Sequence, residues 1–175
     1  MKKTKTSSDS KTIMTNIVLP NHTNPHGVLF GGELLAWIDV AGVVTAQRHS
    51  GRIVVTASVN NVSFDSPIRE SDIVTLEATV SRAFTSSMEV FVDVYVENPI
   101  SGERKKHNEA IYTFVAVDQN GKPIDVPELI PETELEKERY ASALQRKQLS
   151  LILAGRMKPG EATELKKIFL EDNIS

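Results

Sequence analysis

The sequence predicts an α+β fold in which an antiparallel sheet of about five strands wraps one long buried helix. Three observations lead there. The stretch NPHGVLFGGELLAWIDVAGVVTA, from Asn24 to Ala46, is so apolar past its glycine pair that a helix there must be buried on nearly every side. Four strand-like runs follow this stretch in succession, and one precedes it. Within them, Val90, Val92, Val94 and Val96 alternate with Phe91, Asp93 and Tyr95, the period of a sheet with two distinguishable faces.

Residues 1–11, MKKTKTSSDSK, carry lysines but no apolar run and are expected to be disordered, without the hydrophobic core of a signal peptide. From Thr12 to Leu19 the β-branched segment TIMTNIVL, closed by Pro20, reads as the first strand. The loop that follows holds Pro25 and Gly27 and has no periodic apolar face. The helix is expected from about Gly32 to about His49, with Gly51 just beyond its end as a C-cap. Strands are then expected at Ile53 to Phe64, Ile73 to Phe84, Met88 to Val96 and Lys106 to Val117. Turns separate them at Asp65-Ser66-Pro67, Thr85-Ser86-Ser87 and Asn98 to Gly102. Asn120-Gly121 closes the last strand, and Pro123, Pro127 and Pro131 mark an extended connection. Residues 131–175 hold good helix formers with a thin apolar stripe, and a further helix is expected after Pro159. The organisation is thus one domain over residues 12–130 and a helical extension over 131–175.

A chain of 175 residues with a formal charge of −3 fits one core with an appendage and lacks the basic excess of a nucleic-acid binder. With no cysteine there is neither a disulfide framework nor a thiolate nucleophile, and no apolar run approaches membrane-spanning length. A cytoplasmic protein that contacts neither nucleic acid nor membrane is expected. His22 and His26 stand four apart without a second ligand pair, so no metal is expected. There is no G-x-S-x-G elbow and no Walker loop.

Inside the predicted helix body sits one carboxylate, Asp39. A buried carboxylate without a partner costs several kcal/mol, so it is either held in a hydrogen-bond network or put to use. Gly31 and Gly32 allow a tight turn into the helix and also leave its first N–H groups unshielded at the positive end of the dipole. Asn24 before Pro25 fits an Asx-turn, and Thr56 fits a strand by propensity alone.

Taken together, Asn24, Gly27, Gly31, Gly32 and Asp39 form N-x-x-G-x-x-x-G-G-x6-D. This pattern resembles the hotdog-fold acyl-CoA thioesterases, in particular the bacterial and brain-type acyl-CoA hydrolases, over about Ile13 to Val126. The resemblance implies hydrolysis of acyl-CoA, with Asp39 as general base on water or as direct nucleophile. It implies Asn24 as the amide orienting the water or the thioester carbonyl, Thr56 as a hydroxyl facing the carboxylate, and the N–H groups at Gly31 and Gly32 as an oxyanion hole. No cofactor is expected, because coenzyme A is part of the substrate. For its nucleotide, the family points to Arg82 with Thr85, Ser86 and Ser87, while Arg104, Lys105 and Lys106 form a second basic cluster. The resemblance also implies a homo-oligomer, a dimer assembled into a trimer of dimers, with Asn24 and Asp39 supplied by opposite protomers. Two rivals stand beside this reading. A hotdog hydratase or dehydratase would show a histidine beside the helix carboxylate, and a non-catalytic acyl-CoA sensor would carry a DNA-binding appendage.

Overall fold

The computed structural model describes residues 3–60, 62–63 and 66–171, the last two by backbone alone. The chain divides into two compact units, Met1–Ile130 and Pro131–Ser175. In the first, five antiparallel strands lie in the order β2-β4-β5-β6-β3, namely β2 Thr12–Ile17, β4 Ile73–Ala83, β5 Ser87–Glu97, β6 Arg104–Val117 and β3 Ile53–Asn60. The sheet curls against α1, Gly31–Ser50. The expected end of β3 at Phe64 and the turn residue Asp65 fall outside the described residues.

Alternation along the strands builds the core. Val74, Leu76, Ala78 and Val80 of β4, Val90, Val92 and Val94 of β5, and Tyr112, Phe114 and Ala116 of β6 are all buried. Opposite them α1 buries Leu34, Ile38, Ala41, Thr45 and Ala46. The closest approach is at Gly42, where an added Cβ would stand 2.7 Å from Cζ of Phe114. That ring is buried and stacks on Tyr112 at 6.0 Å between centroids, so it has no free volume to retreat into. Gly42→Ala is therefore expected to destabilise the fold by about 1–3 kcal/mol, which thermal denaturation would register as a Tm lower by roughly 3–10 °C.

The helix is not buried on nearly every side, as its composition led us to expect. Gly32, Ala36 and Val40 are exposed and Asp39 is half-exposed, because one curled sheet covers only one side of a helix. Gly51 ends α1 in the left-handed conformation, φ 65°, its N–H donating to Gln47 O at 2.8 Å.

The N-terminal segment also departs from expectation. Rather than being disordered throughout residues 1–11, Thr4–Thr6 forms β1, paired in parallel with β7, Glu128–Ile130. Asp9 caps the Thr6 N–H at 2.8 Å, and Ser7 and Ser10 are buried. This polar three-residue strand is specified by a partner more than a hundred residues away, which leaves no local periodicity to read.

Beside this pairing, His49 of α1 is buried and its Nε2 donates to Pro127 O at 2.9 Å. Burial holds its pKa below the ordinary histidine value, and Lys5 pushes the same way against the carbonyl of Pro127 and Asp9. A base with a depressed folded pKa contributes stability in full above about pH 6.5 and loses it as pH falls through its folded value, because the unfolded chain then binds more protons. Tm is therefore expected to fall as pH is lowered from 7 towards 5, and His49→Gln should flatten that slope. An unchanged slope would place the acid sensitivity elsewhere.

In the second unit, α2 spans Glu134–Leu153 and α3 spans Thr163–Glu171. Thr133 and Glu136 form a reciprocal capping box at the start of α2. Gln148 of α2 accepts the N–H groups of Glu164 and Leu165 at 3.0 and 2.9 Å, satisfying two of the donors that α3 leaves open at its start.

Candidate active site

The segment before α1 is a short hairpin in which Thr23 bridges to Leu29 and Phe30 N donates to His22 O at 3.0 Å. Asn24 governs its tip. The Asn24 Oδ1 accepts from the N–H groups of His26 at 2.9 Å and Val28 at 3.2 Å, and Gly27 turns there with φ 66°. Both donors are backbone N–H groups, which fixes the oxygen inward and leaves Nδ2 as a donor facing outward. The Asx-turn and the presentation of an amide are thus one arrangement. None of the hydrogen bonds of Asn24 reaches Asp39 or Thr56.

His22 fixes the hairpin against α1. Its Nδ1 accepts the Leu19 N–H at 3.2 Å, and its ring meets Trp37 edge-on at 5.2 Å. Among the described residues no group of three or more His, Cys, Asp or Glu side chains could hold a metal ion. No described helix is long and apolar enough to cross a membrane.

At the start of α1, Glu33 and Leu34 donate to Phe30 O, while the N–H groups of Gly31 and Gly32 meet no acceptor among the described residues. A Cβ at Gly32 would find nothing within 4 Å. Packing inside this chain therefore does not demand that glycine, and its absence of a side chain leaves the helix N-terminus uncovered.

Asp39 stands two turns further along, about 12 Å from Gly31. Thr56 of the edge strand β3 donates its hydroxyl to Asp39 Oδ1 at 2.8 Å. The ladder between β3 and β6 shifts register immediately after Thr56, leaving Ala57 as an extra residue, a bulge of the kind that re-aims a side chain. Beneath them Tyr112 places its hydroxyl 3.4 Å from Leu35 O. Burial foremost, with the neighbouring Asp39 charge, pushes the Tyr112 pKa up to about 12, so the phenol stays protonated. Tyr112 carries no sequence signal beyond strand alternation and was not anticipated beside the carboxylate.

The structure thus joins Asp39 and Thr56, sets Gly31 and Gly32 at a free helix N-terminus, and leaves Asn24 on the hairpin without a hydrogen bond to that pair. It also keeps the Arg82 turn apart. The Thr85 O accepts from Val126 N at 3.0 Å, next to the Pro127 that binds His49, so this turn lies by the C-terminal end of α1. The guanidinium of Arg82 lies over the Phe84 ring at 5.6 Å. The length of α1 puts the turn roughly 30 Å from the helix N-terminus.

A curled five-stranded sheet around one long helix, with a carboxylate and hydroxyl on the helix's open side, defines a hotdog-fold enzyme. The comparisons agree. A model of the thioesterase superfamily matches residues 26–103. YkhA of Bacillus subtilis (strain 168), described as an uncharacterized acyl-CoA thioester hydrolase, is 46% identical over 138 residues, covering 79% of this chain and 80% of that protein. An acyl-CoA hydrolase from Staphylococcus aureus, solved with butyryl coenzyme A, coenzyme A and coenzyme A disulfide, superposes with a TM-score of 0.81 at 38% identity, covering 87% of this chain and 95% of that one. A hexameric acyl-CoA thioesterase superposes with a TM-score of 0.84 at 41% identity, covering 87% and 97%. Alanine variants of the Staphylococcus aureus enzyme at an aspartate, a threonine and an asparagine are also similar, with TM-scores of 0.80–0.81. The chain belongs to the thioesterase superfamily, among its acyl-CoA hydrolases.

Proposed function

We propose that this protein hydrolyses acyl-CoA to the free acid and coenzyme A, and that Asp39 carries the reaction. The observation that bears most weight is the Thr56 hydroxyl held 2.8 Å from the Asp39 carboxylate on an open helix face. Thr56 occupies Oδ1 as a donor, leaving Oδ2 to take a proton from water or to attack the carbonyl carbon itself. In either route the carbonyl oxygen gains negative charge, which the N–H groups of the partner's Gly31 and Gly32 stabilise, those of the same chain lying about 12 Å from Asp39. The C–S bond then breaks, the thiolate leaves to be protonated, and in the direct route water cleaves the anhydride to free the acid. One such donor is worth about 2.7–4 kcal/mol in the transition state. The alanine variants of the Staphylococcus aureus enzyme support these assignments, since their asparagine, aspartate and threonine are spaced along that chain as Asn24, Asp39 and Thr56 are here.

The site needs a second copy of the chain. Val40 on the open face of α1 is 50% exposed, and Val59, opposite Tyr112 on the helix side of the edge strand β3, is 48% exposed, apolar surface near Asp39 that a dimer covers. That Asn24 makes no hydrogen bond to Asp39 or Thr56 supports a site in which the partner's hairpin supplies the amide. A dimer that also places the partner's Arg82 turn, with Thr85, Ser86 and Ser87, near this helix N-terminus fits the expected nucleotide contact, and three dimers complete the proposed hexamer. A cytoplasmic location and the use of no cofactor belong to the same proposal. The decisive assay is release of free thiol from acyl-CoA of graded chain length without added metal, with Asp39→Asn beside the wild type.

A further inference from the structure

We infer that Arg69 and Lys105 hold the diphosphate of the substrate's coenzyme A within the same subunit, an assignment that rests on the thioesterase reading above. Two clefts meet at a shared wall of Ser66, Pro67 and His107. The inner one, about 410 Å³, is walled by Val28, Leu29, Leu34 and Ile68 and opens at Gly31, the helix N-terminus. The outer one, about 320 Å³, is lined by Arg69 and Lys105 together with Asp72 and Glu103. Two adjoining clefts, an apolar one at the helix N-terminus and one that holds two cations, suit a molecule with a reactive end, a long neutral arm and an anionic head.

The backbone builds this arrangement. Arg69 bridges to Val28, and Leu29 N donates to Ile68 O at 2.8 Å, which ties the cations' wall to the segment that enters α1. Three residue steps of extended chain lead from Val28 to Gly31, roughly 10 Å, a span that a pantetheine arm covers. In the ladder between β5 and β6, Val94 pairs with Asn108 and Tyr95 with Lys106, so His107 is an extra, bulged residue. Its Nε2 donates to Ser66 O at 2.7 Å and secures the wall between the clefts.

Alternation then sorts the three basic residues of β6. Arg104 pairs with Glu77 at 3.2 Å and Lys106 with Asp93 at 2.8 Å, while Lys105 lines the cleft. The side chains of Lys105 and Arg69 make no hydrogen bond or ion pair among the described residues. Asp72 accepts the Arg69 N–H at 2.8 Å and so holds the loop. Because Asp72 and Glu103 balance the two cations, the head group is selected by where the cations stand, and removing the Glu103 charge should strengthen binding.

The test compares three thioesters of one acyl group: acyl-CoA, acyl-dephospho-CoA, which keeps the diphosphate but lacks the 3′-phosphate, and acyl-pantetheine, which has no phosphate. Arg69→Ala and Lys105→Ala should each raise KM roughly ten-fold on the first two at low salt with kcat little changed, and the loss should vanish on acyl-pantetheine. Glu103→Gln should lower KM on the first two about twofold. Arg82→Ala, if it meets the 3′-phosphate across a subunit boundary, should raise KM on acyl-CoA alone. Equal losses on all three substrates, or no loss on any in Arg69→Ala and Lys105→Ala, would overturn the assignment. Wild-type protein that releases thiol from none of them would instead overturn the thioesterase reading.

Discussion

Replacing Asp39 with Asn is expected to lower kcat for acyl-CoA hydrolysis by at least about 100-fold while leaving the fold intact. The substitution removes charge and basicity but keeps an oxygen that accepts the Thr56 hydroxyl, so the contact between α1 and β3 survives. Asp39 is half-exposed in the chain, so no cavity is created and Tm should stay within about 2 °C of wild type, as for a surface change of at most ~0.5 kcal/mol. Thr56→Ala removes only the orienting donor and should cost less in kcat, with Asp39 still charged. The measurement is thiol release under saturating substrate, with melting curves run on the same preparations. Undiminished turnover in a folded Asp39→Asn protein would sink the assignment of Asp39, whichever of the two routes the carboxylate follows.

The second large effect is a recovery. Asn24→Ala and Asp39→Ala proteins should each be nearly inactive, and mixing them under conditions that allow subunit exchange should restore activity to a fraction of wild type. A mixed dimer with composite sites has one site with both residues intact and one with neither, so the gain comes from a known half of the sites. Two structural facts motivate this. Asn24 is held at a hairpin tip by its own Oδ1, with no hydrogen bond to the Asp39 pair, and the apolar surface around Asp39 on α1 and β3 is open in the single chain. Asn24→Ala also loses two hydrogen bonds to backbone N–H groups, which loosens the hairpin, so Asn24→Asp serves as a second variant. It keeps the acceptor that holds the turn and removes the outward amide donor. No recovery with either pair, once exchange is confirmed by mass spectrometry, would put both residues in one protomer.

Much of this was legible in the sequence because it is encoded locally. The apolar run after Gly31-Gly32, the glycine past His49 and the period-two alternation of Val90 to Val96 specify a helix and strands through side-chain spacing alone, and each stands where the spacing put it. The pairing of Thr56 with Asp39 was implied by resemblance, and its 2.8 Å geometry came only with the fold. What the sequence did not reveal depends on contacts between distant segments. Pairing of β1 with β7, the nearness of Tyr112 to Asp39 and the close fit of Phe114 on Gly42 all join residues that no local period relates. Within the single chain α1 is also less buried than its composition implied, for the same reason. Composition says that an apolar face must be covered, and only the tertiary structure shows that one curled sheet covers a single side, leaving the face that carries Asp39 open.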